Sequence, residues 1–226
     1  MFLLNLDILF QEIKIFCTFT LLKLQQPISM SEFWIYFKIG LNHVLDIHGY
    51  DHVLYLIALT VPYIIKDWKR ILLLVTIFTI GHSLSLLLSV FNIVTVHANI
   101  VEFLIPITIL ITAFFNLLTA GKPSKNDGIT FIGAVTLFFG IIHGLGFSNY
   151  FKQILPGKPT DKLFPLLEFA LGIEVAQIII VLCVLILSFT VQTLFRFSKR
   201  DFTLTLSAFV IGVVIPLIIQ SPIWKR

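Results

Sequence analysis

Apolar residues run along this chain in blocks of about twenty or more, separated by short polar connections, with no sustained two-residue alternation of the kind a half-buried sheet requires. A bilayer core of about 30 Å takes roughly 20 apolar residues per helix. On that measure the pattern predicts six spans, over 33–65, 71–95, 98–119, 129–151, 164–195 and 202–223. The first and fifth are longer than one crossing needs. Span one either breaks near Gly49 or runs from an interfacial helix (33–47) into a membrane helix, and Pro62 marks its far end. The expected fold class is an all-α polytopic membrane helix bundle, with one six-helix domain over 30–226. Residues 1–29 are apolar but contain Asp7, Glu12 and Lys14, and lack the basic start and small-residue cleavage site of a secretory signal. They read as a poor seventh hydrophobic span, an interfacial helix, or a stretch ahead of a start at Met30, where "MSEFW" looks like a natural beginning.

Composition agrees, with 58% hydrophobic and 12% charged residues against roughly 25% charged in soluble domains. Basic residues gather in "KDWKR" (66–70), "GKPSKND" (121–127) and "RFSKR" (196–200), alternate connections that short-loop charge bias assigns to the cytoplasm. The loop 91–99 has no basic residue and is assigned outside, while 152–163, with Lys152, Lys158 and Lys162, runs against the rule. A net charge of +4 spread in this way fits topology setting better than nucleic-acid binding, so membrane lipid is an expected partner and nucleic acid is not. Cys17 and Cys183 stand alone in apolar runs, so neither a disulfide framework nor a thiolate metal site is expected. The sequence leaves oligomeric state open.

Against this background the polar residues inside the spans stand out, since each costs a few kcal/mol to insert and therefore faces a bundle interior or a pathway. They are His43, Asp46, His48, Asp51, His52, His82, Glu102, Asn116, His143, Glu174 and Gln177. Depth tests whether they belong together. At about 1.5 Å per residue, His82 stands about 17 Å from the inner end of its span, and His143 and Asp51 about 21 Å. Glu174 lies about 15 Å from the outer end, and Glu102 about 6 Å below it, at the mouth of the same band. His48, Asp51 and His52 share an arc of about 100° on one helix face. On an unbroken helix His43 and Asp46 would point the other way. Glu102, Ile109 and Asn116 form a stripe along span three.

Each residue also has a bland reading. A lone histidine such as His82 or His143 can bond a neighbouring helix, Asn116 and Gln177 can be interhelical glue, and Asp46 can cap a helix break. His97 reads as a solvated loop residue and the Phe-rich faces as lipid contact. These readings leave the set unexplained: imidazoles and carboxylates at matched depth on four helices, with no Lys or Arg to neutralise them. Such a centre asks for a cation, and imidazole with carboxylate suits a divalent transition metal ion such as nickel, cobalt or zinc. Neutral imidazole is the binding form, so affinity should fall as pH drops through the histidine range.

The motifs "GLNHVLDIHGYDHVLYLIAL" (40–59), "FTIGHSLSL" (78–86), "VEFLIPITI" (101–109), "FFGIIHGLGFS" (138–148) and "EFALGIEVAQ" (168–177) resemble, in order, those of the HupE/UreJ family. These are membrane proteins associated with hydrogenase and urease maturation and regarded as nickel or cobalt permeases. The resemblance implies that His43, Asp51, His52, His82, Glu102, His143 and Glu174 are the functional positions. It further implies a multi-pass protein of the cell membrane, the inner membrane in a bacterium, with metal-enzyme maturation proteins as partners. The chain departs from the family where His43 and Gly49 are separated by five residues, including His48.

Three functions remain open at this point. One is a transporter of a divalent transition metal, nickel before cobalt, with His43, Asp51, His52, His82, His143 and Glu174 as ligands and His48, Asp46, Glu102, Asn116 and Gln177 secondary or along the pathway. Another is an intramembrane zinc hydrolase, similar in logic to the alkaline ceramidase and adiponectin-receptor group although the motif order differs. In that case Asp51 or Glu174 is the general base, with Ser83 nearby. The third is an accessory protein that hands metal on without moving it across. No organic cofactor is called for.

Overall fold

The computed structural model describes residues 30–46, 49–122, 129–154 and 159–224; the N-terminal segment 1–29 and His48 lie outside the described residues. The described residues form seven α-helices and no strand: α1 Met30–Leu45, α2 Asp51–Thr60, α3 Trp68–Val90, α4 Ala98–Thr119, α5 Ile129–Ile154, α6 Leu163–Leu194 and α7 Lys199–Ile219. Helices α3 to α7 are the five long and apolar enough to cross a membrane. The fold is a multi-pass helical membrane bundle, and the last five expected spans lie within a few residues of α3 to α7.

The first expected span is two short helices. Gly49, among the weakest helix formers, lies between α1 and α2, and Pro62 stops α2 after ten residues. Pro62 also has a less obvious effect. The carbonyl of Ala58 would ordinarily accept from the amide of residue 62, and proline has none. Asn116 of α4 supplies the missing donor, its Nδ2 bonding the Ala58 oxygen at 2.6 Å. Thr203 Oγ1 of α7 lies 3.3 Å from the Val61 carbonyl, its shorter bond of 2.9 Å going to the Lys199 carbonyl of its own helix. Short α2 is thus fastened to α4 and packs on α6 and α7 as well, and His52, Leu54, Tyr55, Leu56, Ala58, Leu59 and Thr60 are all buried.

Three helix pairs pack most extensively, α3 with α5, α1 with α6 and α4 with α7, and α3 with α6 joins the first two pairs. Glycines permit the tightest contacts. A Cβ on Gly81 would run into the Leu137 carbonyl of α5, one on Gly140 into the Phe78 carbonyl of α3, and one on Gly144 into the His82 carbonyl and Ser85 Oγ. Between α1 and α6 the same holds for Gly40 against Phe169 and Gly172 against Phe37. Backbones that touch at small residues are how membrane helices gain contact energy when lipid is as apolar as leucine.

The connections sort the bundle into two ends. Lys66, Lys69 and Arg70 lie at the start of α3, with Lys122 and Arg196 on the connections that return to that end and Lys199 and Arg200 in the first turn of α7. At the other end the Lys152 ammonium donates to Asn92 Oδ1 at 3.0 Å, tying α5 to the α3–α4 turn. That bond gives one of the three out-of-place lysines of 152–163 a local partner.

Gly81→Ala and Gly172→Ala should each cost about 1–3 kcal/mol, because backbone rather than a flexible side-chain tip must give way. Gly212, with nothing within 4 Å of its would-be Cβ, should accept Ala with no loss and gain up to about 1 kcal/mol from helix propensity. Thermal unfolding of the detergent-solubilised variants checks both. Asn116→Ala should cost about 1–3 kcal/mol by orphaning the Ala58 carbonyl. Pro62→Ala restores a backbone amide, so the Asn116→Ala penalty should shrink in that background, which a double-mutant cycle measures.

Candidate metal centre

His43 sits in the last turn of α1 and His52 in the first turn of α2. On a continuous helix nine residues would separate them by about 13.5 Å along the axis. The interruption between α1 and α2 instead brings their rings to 4.7 Å between centroids, edge to face. His82 joins from α3, at 5.7 Å from both rings. One ligand nitrogen from each of His43, His52 and His82 lies within 4.8 Å of the others. A tetrahedral ion with bonds of about 2.0–2.1 Å needs nitrogens roughly 3.3 Å apart, so closing on an ion takes rotations that move each ring by about 1 Å. His143 of α5 stands beside this group, its ring 5.3 Å from that of His52.

The glycine contacts explain why the imidazoles meet. Gly81 precedes His82, Gly140 and Gly144 bracket His143, and Gly40 precedes His43 by one helical turn, so these three histidines project from places where two backbones touch.

Hydrogen bonding fixes what these rings can do. His143 Nδ1 lies 2.8 Å from the Phe139 carbonyl, which only accepts, so Nδ1 carries the proton and Nε2 keeps its lone pair. Asp51 Oδ1 accepts from the His52 amide at 2.9 Å and lies 3.1 Å from His52 Nδ1. A carboxylate on one imidazole nitrogen orients the ring and leaves the other for a metal. Five buried ring nitrogens lack a partner: His43 Nε2, His52 Nε2, both of His82 and His143 Nε2. Orphaned buried polar atoms cost about 1–3 kcal/mol apiece, a cost that a coordinated cation removes. No Lys or Arg is buried among the described residues.

Aromatic rings wall the group. Phe147 lies 3.9 Å from the His43 ring and stacks on Phe169 at 5.1 Å. Phe78 and Tyr55 flank His143 at 5.1 and 5.4 Å. Phe78 and Phe169 are wholly buried, so the expectation of lipid contact fails for these two, whereas Phe114, Phe131 and Phe138 are exposed. Water exclusion by such a wall strengthens any electrostatic attraction inside it.

The other expected site residues take separate places. Asp51 stands behind His52, outside the three-nitrogen group. Glu174 is turned to α3, accepting from Thr76 Oγ1 at 2.6 Å and from Thr79 Oγ1, and Gln177 meets Thr79 at 3.1 Å. Thr79 and Thr76 precede His82 by one and two helical turns, which puts Glu174 toward the basic end of the bundle. Asn116 holds α2, as described, and Ser83 Oγ is buried without a partner. Glu102 lies on the exposed side of α4, Asp46 is exposed at the end of α1, and His48 is outside the described residues. Sequence reasoning passed over Thr76 and Thr79, although 76, 79 and 82 form one stripe at helical spacing. It also missed Glu168, buried on α6 beside Phe169.

No curated protein and no solved structure matches the chain. A family model described as HupE / UreJ protein matches residues 20–221, a stretch that holds every histidine of the centre and extends well past the motifs at 40–180 on both sides. The protein is a member of the HupE/UreJ family.

Proposed function

We propose that the protein moves a divalent transition metal ion, nickel or cobalt, across the membrane through the three-histidine centre. The observation that carries this reading is the convergence of His43, His52 and His82 from three helices of a membrane bundle, ligand nitrogens within 4.8 Å of one another and unpartnered. Family membership supports it, as does the donor set, since imidazole without thiolate favours nickel, cobalt and zinc over magnesium or calcium.

The residues divide the work. His43, His52 and His82 replace water in the ion's coordination shell, while His143 offers a fourth lone pair one ring away. Asp51 orients His52 and spreads negative charge toward the ion through the imidazole. Transport is preferred over zinc-dependent hydrolysis because both candidate bases are bonded elsewhere, Asp51 to His52 and Glu174 to the α3 threonines. Charge bias places the basic end in the cytoplasm, so import runs from the Asn92 end toward Lys66.

Reconstituted into proteoliposomes, the protein should accumulate labelled nickel or cobalt, His52→Ala should lower uptake at least tenfold, and Asp51→Asn should weaken metal affinity by about 10–100-fold. Failure of the correctly inserted parent to accumulate either metal would overturn the reading. Lowering the pH through the histidine range should weaken metal retention by the purified protein, since neutral imidazole is the ligating form; equilibrium dialysis across that range reads this directly.

A further inference from the structure

The cluster around Glu174 has a hydrogen-bond inconsistency whose resolution points to a ligand. Thr79 Oγ1 lies within bonding distance of the Glu174 carboxylate, of the Gln177 amide oxygen at 3.1 Å and of the Val75 carbonyl at 3.3 Å. All three are acceptors, and a hydroxyl has one proton. The closest acceptor is the charged one, so the proton goes to Glu174. The Gln177 carbonyl oxygen, 3.1 Å from Thr79, is then left facing the cluster with no proton to accept from it. That side chain is wholly buried, and its amide nitrogen has no partner either.

What remains is a set of oxygens with lone pairs to spare: the Gln177 carbonyl, the Thr76 and Thr79 hydroxyls and the Glu174 carboxylate. Its net charge is negative, and no Lys or Arg is buried among the described residues to balance it. Thr79 stands three residues before His82 on α3, about 4.5 Å along the axis. Phe169, five residues before Glu174 on α6, packs 6.3 Å from the His82 ring. The oxygen cluster therefore adjoins the histidine centre on the side of the basic end.

We propose that Glu174, Gln177, Thr76 and Thr79 form a second cation station made of oxygen alone, receiving the divalent ion as it leaves the histidines. Its position as a second step rests on the transport reading; its capacity to bind a cation does not. On binding, the threonine hydroxyls turn their protons away and offer lone pairs, and the Gln177 carbonyl gains the partner it lacks. Oxygen ligands hold nickel and cobalt less tightly than imidazole, and take manganese readily. Two sites of descending affinity in series let an ion leave a tight one, as conduction through multi-site pathways requires.

Manganese is the discriminating probe. The full-length protein in detergent is titrated with Mn2+ and followed by electron paramagnetic resonance, alone and after loading one equivalent of Zn2+ to occupy the histidines. One Mn2+ per chain should bind in both conditions, and should persist in His52→Ala. Glu174→Gln and Thr79→Val should each weaken it at least tenfold, while Thr79→Ser, which keeps the hydroxyl, should restore it. Absence of bound Mn2+ in the folded parent, its displacement by one equivalent of Zn2+, or indifference to Glu174→Gln and Thr79→Val would each overturn the proposal. Bound Mn2+ with no nickel transport would instead count against the transport reading while leaving the oxygen site in place.

Discussion

Backbone-to-backbone contact at glycine is the constraint on which the rest of this structure depends. In a bilayer there is no hydrophobic drive to press helices together, so close approach must come from small residues that let main chains touch. Here the contacts at Gly40, Gly81, Gly140, Gly144 and Gly172 fall within a turn or so of the polar residues the site needs. A methyl group at any of them meets a carbonyl oxygen or, at Gly144, a hydroxyl as well. The same contacts that stabilise the bundle set how far apart the imidazoles sit, so stability and ligand geometry cannot be adjusted separately.

The second determinant is the interruption between α1 and α2. A continuous first span would have sent His43 and His52 to different depths and different sides of one helix. Two short helices allow both to face the same space, with Asp51 at the start of α2 able to hold His52 through its own first turn. Irregular backbone at membrane depth is tolerated where it adjoins a cavity or a protein-filled interior. The interruption is part of the site for that reason.

Much of this was legible in the chain. Spans 98–119 and 164–195 were visible because long unbroken apolar runs have one solution in lipid, and matched depth on different spans marked His82 and His143. Local competition was harder to read. The break was one of two options for span one, since Gly49 weakens a helix without forbidding it. Asp51 read as a ligand because sequence spacing cannot tell a carboxylate that faces an ion from one that faces the histidine beside it. Glu102 fell on a polar stripe with Asn116, yet only Asn116 faces the interior, because a stripe defined by three positions does not say which neighbour covers it. The partners of Glu174 went unseen because threonines draw little notice in an apolar run, although their spacing from His82 was there to be drawn.

The anchoring of α2 has a mechanical consequence. A ten-residue helix has little cooperativity of its own, and the carbonyl that Pro62 orphans is held by Asn116 of another helix. Helix α2 packs on α4, α6 and α7. His43, His82 and His143 sit on the glycine-locked pairs α1–α6 and α3–α5. The place of His52 therefore depends on an amide side chain of α4, where the places of the other three depend on glycine.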